Sequence, residues 1–191
     1  NPEFTMLEFY WAYASYEELM LLTEEMLCGI AEKVTGSLTL AWGERTLSLA
    51  RPWPRLSMRD AVLAHSDLRP VDLNDRPSLE AAARRFGVED VARLSSGKLL
   101  AELFEATAEP HLVDPTFVID FPADISPLAK RKPSEPELTE RFELYLAGME
   151  IANAFTELND PDDQRARFEE QARLGGGVVD EDYVLALEHG M

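Results

Sequence analysis

The first segment of the chain carries carboxylates and aromatic rings at a spacing that a strand would gather onto one face. Residues 3–13, EFTMLEFYWAY, are rich in aromatic side chains and predict a buried strand. Side chains two positions apart share a strand face, which here holds Phe4, Met6, Glu8 and Tyr10. A buried carboxylate without a partner is costly, so this face favours a cationic or metal-bound ligand.

The same alternation on a strand predicted near 150–158 groups Ile151, Asn153, Phe155 and Glu157. If this strand lies beside the first, the two faces form one pocket that offers carboxylates, rings and an amide to one small molecule. An amino acid with a charged side chain fits such a pocket. Salt bridges within the sheet are the alternative interpretation of the same pattern.

A second pair of carboxylates, Glu143 and Glu150, lies on consecutive predicted strands with Gly148 at the bend between them. Hard oxygen ligands that meet across a turn suit Mg²⁺ accompanied by nucleotide phosphates. Surface glutamates are also common, so the spacing alone leaves both interpretations open. The three histidines lack zinc-ligand spacing, and the sequence has no phosphate loop, dinucleotide glycine motif or nucleophile elbow.

The elements that must position these residues are predicted as a series of helices and strands. A capping box at Ser15 and Glu18 begins a helix that ends near Gly36. Its predicted apolar stripe consists of Leu19, Leu22, Met26 and Ile30. A hairpin follows, with strands over 38–42 and 46–50.

Helical patterns dominate residues 57–110, which we interpret as an insertion between strand-forming segments. Its helices begin at Ser57, at Ser78 and near residue 96. The later elements are strands over 115–121, 139–147 and 150–158, and helices over 160–175 and 181–189. This order predicts an α+β domain, with an antiparallel sheet flanked by helices.

Composition bounds the class of protein. The chain has 191 residues, 46% of them hydrophobic, which suits one globular domain with a core. Its 36 acidic and 18 basic residues argue against a large nucleic-acid footprint on this segment, because phosphates require cations. No apolar stretch is long enough to span a membrane. The single cysteine, Cys28, predicts a buried thiol and a reducing, cytoplasmic location.

Residues 1–10, NPEFTMLEFY, resemble the second half of motif 2 of class II aminoacyl-tRNA synthetases, in the form found in the lysine enzyme. Residues 115–132, 141–164 and 180–190 resemble the same family in the same order. The run GMEIANAFTELND, 148–160, is long and specific. The resemblance therefore covers the whole chain.

The resemblance implies a binding site for lysine. Glu8 would hold the α-ammonium group, while Tyr10 and Glu157 would take the ε-ammonium group. Phe155 would line the aliphatic stem, and Asn153 would contact the carboxylate.

The resemblance also implies an ATP site. Phe4 would stack on the adenine ring, and Asn1 would lie beside the nucleotide. Glu143 and Glu150 resemble the family's Mg²⁺ ligands on the ATP phosphates. The implied reaction activates lysine to lysyl-adenylate and then transfers it to tRNA(Lys), in a homodimeric parent protein.

The chain starts without Met and stops directly after a helical pattern, so we expect a fragment of a longer protein. Motif 1, the first half of motif 2, motif 3 and the anticodon-binding barrel of the resembled family are not found in it. The fragment alone is therefore expected to be inactive or nearly so.

Several related functions are alternatives. One is the stand-alone ligase that attaches a lysine-type group to translation elongation factor P, although residues 126–130 and 157–160 look more like the synthetase. The aspartyl and asparaginyl enzymes share the architecture, but Glu157 is unsuited to an acidic or amide substrate. A non-catalytic binding module with the same fold is the third alternative.

Overall fold

A computed structural model describes residues 2–175 and 178–190, and it confirms the α+β class. The helices are α1 (Tyr16–Thr35), α2 (Met58–Ala64), α3 (Arg76–Arg85), α4 (Ser96–Thr107), α5 (Pro161–Gly175) and α6 (Glu181–Glu188). The strands are β1 (Thr39–Trp42), β2 (Arg45–Ser48), β3 (Arg55–Ser57), β4 (Thr116–Ile119), β5 (Arg141–Leu146) and β6 (Met149–Phe155). Short 3-10 turns lie at Pro70–Leu73, Glu109–His111 and Ala123–Ile125.

The larger sheet has the strand order β3-β4-β5-β6, and β1 and β2 form the predicted hairpin as a separate sheet. Strands β4, β5 and β6 are antiparallel, but β3 and β4 are parallel, so the predicted antiparallel sheet is in fact mixed. The reason is the helical section between them, because a crossover of this length returns the chain in the same direction. The helices predicted within 57–110 are therefore the connection between two neighbouring strands.

Each face of the larger sheet packs against its own hydrophobic core. On one face Val118 and Tyr145 contact the helical section, whose buried residues include Phe104. On the other face Phe117 and Phe142 pack with helix α1. Burying side chains of this size contributes about 1.5–3 kcal/mol each. The sheet is thus held between α1 on one side and α2–α4 on the other.

Helix α1 has the predicted capping box and ends at Gly36, but its buried face differs from the predicted stripe. Its buried residues are Tyr16, Met20, Thr23, Glu24, Cys28 and Ala31. Ile30 is 51% exposed. The prediction followed hydrophobicity alone, whereas the Glu24 carboxylate is buried because it accepts a hydrogen bond from the Trp53 backbone N–H at 3.2 Å.

The strand predicted over residues 3–13 is not formed. Residues 2–13 are exposed and have no strand pairing, and Phe4 and Tyr10 are 69% and 76% exposed. A strand is stable only when its backbone N–H and C=O groups bond a neighbouring strand. Residues 2–13 have no such neighbour among the described residues, so their aromatic composition alone did not lead to burial.

Other boundaries shift by a few residues. Helix α3 begins at Arg76 with Asp75 as its cap, so Ser78 lies inside the helix and donates its backbone N–H to the Asp75 carboxylate.

Cys28 is buried, as predicted, and its thiol donates to the Leu49 carbonyl. Within the described residues, no helix is both long and apolar enough to cross a bilayer.

Candidate functional site

The strand pair β5–β6 brings most of the predicted polar residues onto one face. Glu143 lies opposite Asn153, and Arg141 lies opposite Phe155. Directly opposed residues of antiparallel strands share a face. Because Val118 of β4 lies opposite Glu143, this is also the face that packs against the helical section.

A β-bulge adds Glu150 to the same face. The register shifts between Leu144 and Tyr145, so that Ala152 opposes Leu144 while Glu150 opposes Tyr145. Ile151 is thereby left without a register partner. Strict alternation had placed Ile151 beside Asn153, and the extra residue interrupts that alternation between Glu150 and Asn153.

A cleft of about 340 Å³ lies between the strand pair and helix α4, and the strand pair contributes Arg141, Glu143, Tyr145 and Glu150 to its lining. Its charged lining comprises the carboxylates Glu105, Glu109, Glu143 and Glu150 and the cations Lys98 and Arg141. Burial and the charge of Glu143 both raise the pKa of Glu150. The pKa of Glu109 is raised by burial and by the charges of Glu105 and Glu143. The excess of negative charge favours a cation in the cleft.

Glu143 is held on both of its oxygens. Arg141 donates to Oε1 at 2.6 Å, and the Tyr145 hydroxyl donates to Oε2 at 2.6 Å. Burial raises the pKa of Tyr145, and the hydrogen bond to Glu143 raises it further. The carboxylate is therefore fixed in position, and its remaining lone pairs can still accept a ligand.

The predicted metal residues Glu143 and Glu150 share this cleft. In the part of the chain that the structure describes, no group of three or more His, Cys, Asp or Glu residues is arranged to hold a metal ion. Mg²⁺ is usually bound by one or two carboxylates together with substrate phosphates and water, and it needs no larger protein cage. The paired carboxylates and the acidic lining fit that requirement.

Glu157 lies just beyond β6, where it forms an isolated bridge with Ala129. Its side chain is partly buried, and burial raises its pKa. It forms no ion pair with any cation among residues 2–175 and 178–190. A partly buried carboxylate without a cation is the feature expected of a site for an ammonium ligand.

Two predicted partners of Glu157 lie in the exposed first segment. The Tyr10 hydroxyl donates to Glu8 at 2.7 Å. That bond raises the pKa of Tyr10, and the more distant charge of Glu157 raises it further. The charge of Glu157 thus reaches Tyr10, although the predicted walls of a pocket made by two adjacent strands are not formed.

Tyr183 is a residue that sequence reasoning missed. It lies on α6, its ring packs edge-on against Phe168 of α5 at 5.6 Å, and burial followed by the charge of Glu157 raises its pKa. The sequence predicted the helix correctly, but it gave no signal that α6 would approach the end of β6.

The remaining predicted residues have mixed placements. Asn153 is exposed and accepts a hydrogen bond from Arg141, and Phe155 is partly buried. Phe4 is exposed and is not among the residues that line the cleft. Asn1 lies outside the described residues.

Comparison with known proteins places the chain in a family. The family model described as class II tRNA synthetases (D, K and N) matches residues 1–191. A lysine–tRNA ligase of Thermosynechococcus vestitus is 48% identical, over 100% of this chain and 39% of its own length. Those of Moorella thermoacetica and Pectobacterium carotovorum are 48% and 42% identical, over 40% and 39% of their lengths. The chain spans about two fifths of these relatives, and it belongs to the class II tRNA synthetases of the D, K and N group.

Proposed function

We propose that the complete protein containing this chain is a lysine–tRNA ligase. It activates lysine with ATP to lysyl-adenylate and then transfers the lysyl group to tRNA(Lys). Family membership and the names of the relatives support the reaction class. The observation that carries the choice of amino acid is Glu157, a partly buried carboxylate with no cation partner among the described residues.

Lysine recognition divides between the two ends of the substrate. Glu157 and Tyr10 accept the ε-ammonium group, and Glu8 accepts the α-ammonium group; Tyr183 is a further neighbour of Glu157. Phe155 lines the aliphatic stem, and Asn153 donates to the carboxylate. Uncharged analogues would leave the partly buried Glu157 carboxylate unpaired, which rejects them strongly.

ATP binds in the acidic cleft with Mg²⁺. Glu143 and Glu150 would hold the ion, Phe4 would stack on adenine, and Asn1 would contact the nucleotide. When bound, Mg²⁺ neutralises phosphate charge. A lysine carboxylate oxygen attacks the α-phosphorus, and the bond to the β-phosphate bridging oxygen breaks to release pyrophosphate. The chain's own contribution is to position the two substrates, which lowers the barrier without acid–base chemistry.

We further propose that residues 1–191 are part of a catalytic domain, in which the helical section 57–110 is an insertion. The parent protein would act in the cytoplasm as a homodimer. Because the chain spans about two fifths of its relatives, we expect the chain alone to show little or no activity.

The test is lysine-dependent exchange of pyrophosphate into ATP, followed by charging of tRNA, with the complete protein. Exchange with lysine and not with aspartate or asparagine, then transfer to tRNA, supports the proposal. Transfer to a translation factor in place of tRNA would favour the elongation factor P ligase. Lysine binding without exchange would favour a non-catalytic module. Robust exchange by the isolated chain would overturn the expectation that it is inactive.

A further inference from the structure

Arg141 is anchored on β5 by contacts that leave it little freedom. Its guanidinium carbon lies 4.5 Å from the centroid of the Phe121 ring. One terminal nitrogen donates to the Ser126 hydroxyl at 2.9 Å and to the Ile125 carbonyl at 3.2 Å. The side chain is only 16% exposed. The direction of its remaining N–H groups is therefore set by the protein.

Those remaining groups reach two residues of the candidate site at once. The other terminal nitrogen donates to Glu143 Oε1 at 2.6 Å, and Nε donates to Asn153 Oδ1 at 3.2 Å. A guanidinium has five donors and no acceptor. Asn153 can therefore meet Arg141 only with its amide oxygen, and its NH2 group must face the other way.

The fixed amide orientation determines what Asn153 can bind. An amide that is free to flip offers either a donor or an acceptor to a ligand. With its oxygen engaged by Arg141, Asn153 is left with its NH2 donors for a ligand. It therefore selects a ligand atom that accepts hydrogen bonds, such as a carboxylate oxygen, over one that donates.

We propose that Arg141 is a positioning residue for lysine activation, which orients Asn153 as a donor to the substrate carboxylate while fixing the Glu143 carboxylate in the adjoining cleft. This inference rests on the proposed function. Arg141 would thereby couple the lysine site to the nucleotide site. Its one guanidinium orients both Asn153, which holds the attacking lysine carboxylate, and Glu143, which lines the nucleotide cleft. Lysine in place of Arg141 lacks the planar fork required to serve both.

The test uses the complete protein with Arg141→Met and Arg141→Lys. Affinities are measured by calorimetry for lysine and for cadaverine (1,5-diaminopentane), which has two ammonium groups and no carboxylate. Arg141→Met is expected to weaken lysine binding by roughly 10- to 100-fold, the size of a hydrogen bond to a charged group. Cadaverine binding should change by less than about twofold. Arg141→Lys should fall between wild type and Arg141→Met for lysine.

A double-mutant cycle with Asn153→Ala separates positioning from general structural damage. In the Asn153→Ala background, removing Arg141 should no longer weaken lysine binding further by more than about twofold. Equal losses for lysine and cadaverine, or additive effects in the cycle, would overturn the inference. If Arg141→Met does not fold, the Arg141→Lys arm of the same cycle decides. Wild-type protein that fails to bind lysine at all would instead contradict the proposed function.

Discussion

The carboxylates of the cleft lie on the strand pair β5–β6, whereas Glu8 and Tyr10 lie on a first segment that has no strand partner among the described residues. Glu143 is buried and held by Arg141 and Tyr145. Tyr10 is 76% exposed, and its hydroxyl donates to Glu8, two residues away in the chain. The same kinds of side chain are thus preorganised in one region and solvent-exposed in the other.

The difference shows what positions a functional group. In the cleft, ladder hydrogen bonds fix the backbone and neighbouring side chains fix the carboxylate. In the first segment neither constraint is present, despite seven exposed large hydrophobic residues between Phe4 and Tyr13. The residue types determine which groups a site can offer, and strand pairing determines whether those groups are held in position.

The largest expected effect compares the two regions directly, by truncating a phenylalanine in each. Phe117 is fully buried in β4, and Phe117→Ala should lower the free energy of unfolding by about 3–5 kcal/mol because it leaves a cavity. Phe4→Ala should change it by less than about 0.5 kcal/mol, since Phe4 is exposed. Urea denaturation of the chain measures both, and similar losses would show that the first segment is packed.

The next effect concerns Glu157, which lies just beyond β6. In the complete protein, Glu157→Gln should lower kcat/KM for lysine by about 100-fold, because the ε-ammonium group loses its charged partner. Lysine-dependent pyrophosphate exchange gives the value. The control is Glu169→Gln, an exposed glutamate on α5, which should behave as wild type. An unchanged kcat/KM in Glu157→Gln would remove Glu157 from the site.

A smaller effect tests how firmly the wall of the cleft is attached. A Cβ added at Gly97 of α4 would lie 1.8 Å from Asp124 Oδ1 and 2.6 Å from Pro122 Cβ. Gly97→Ala should therefore destabilise the chain by about 1–3 kcal/mol. Gly29→Ala is the matched control, because nothing lies within 4 Å and alanine favours the helix by about 0.5–1 kcal/mol. Denaturation midpoints that move in the same direction would contradict this packing.

The smallest effect is on pH dependence. Burial raises the pKa of Glu157. Its protonated side chain therefore stabilises the folded state below the ordinary glutamate pKa, and this stabilisation is lost as the pH rises through the pKa of the folded state. Glu157→Gln should then be more stable than wild type at neutral pH, by less than about 1 kcal/mol. Glu150→Gln should shift in the same direction. A variant less stable than wild type at neutral pH would mean that Glu157 has a stabilising partner.

The sequence predicted much of the fold because the signals were local. The capping box of α1, the β1–β2 hairpin and the two strands around Gly148 all depend on residues close in the chain. Glu143 and Glu150 line the same cleft because one short turn joins their strands, and their role as metal ligands stays a prediction.

The errors came from non-local packing. The parallel pairing of β3 with β4 and the approach of α6 to Glu157 depend on contacts between distant segments. The bulge at Ile151 adds a residue to the alternation, which composition does not reveal. The first segment carried every compositional sign of a strand, but a strand also needs a partner.

The central claim is that lysine binds with its ε-ammonium group on Glu157 and its carboxylate beside Asn153, next to a nucleotide held at Glu143 and Glu150. A crystal structure of the complete protein with lysine, ATP and Mg²⁺ tests it most directly. We expect the ε-nitrogen within about 4 Å of a Glu157 oxygen, which is salt-bridge distance. Lysine bound elsewhere, or in the reverse orientation with its carboxylate facing Glu157, would contradict it.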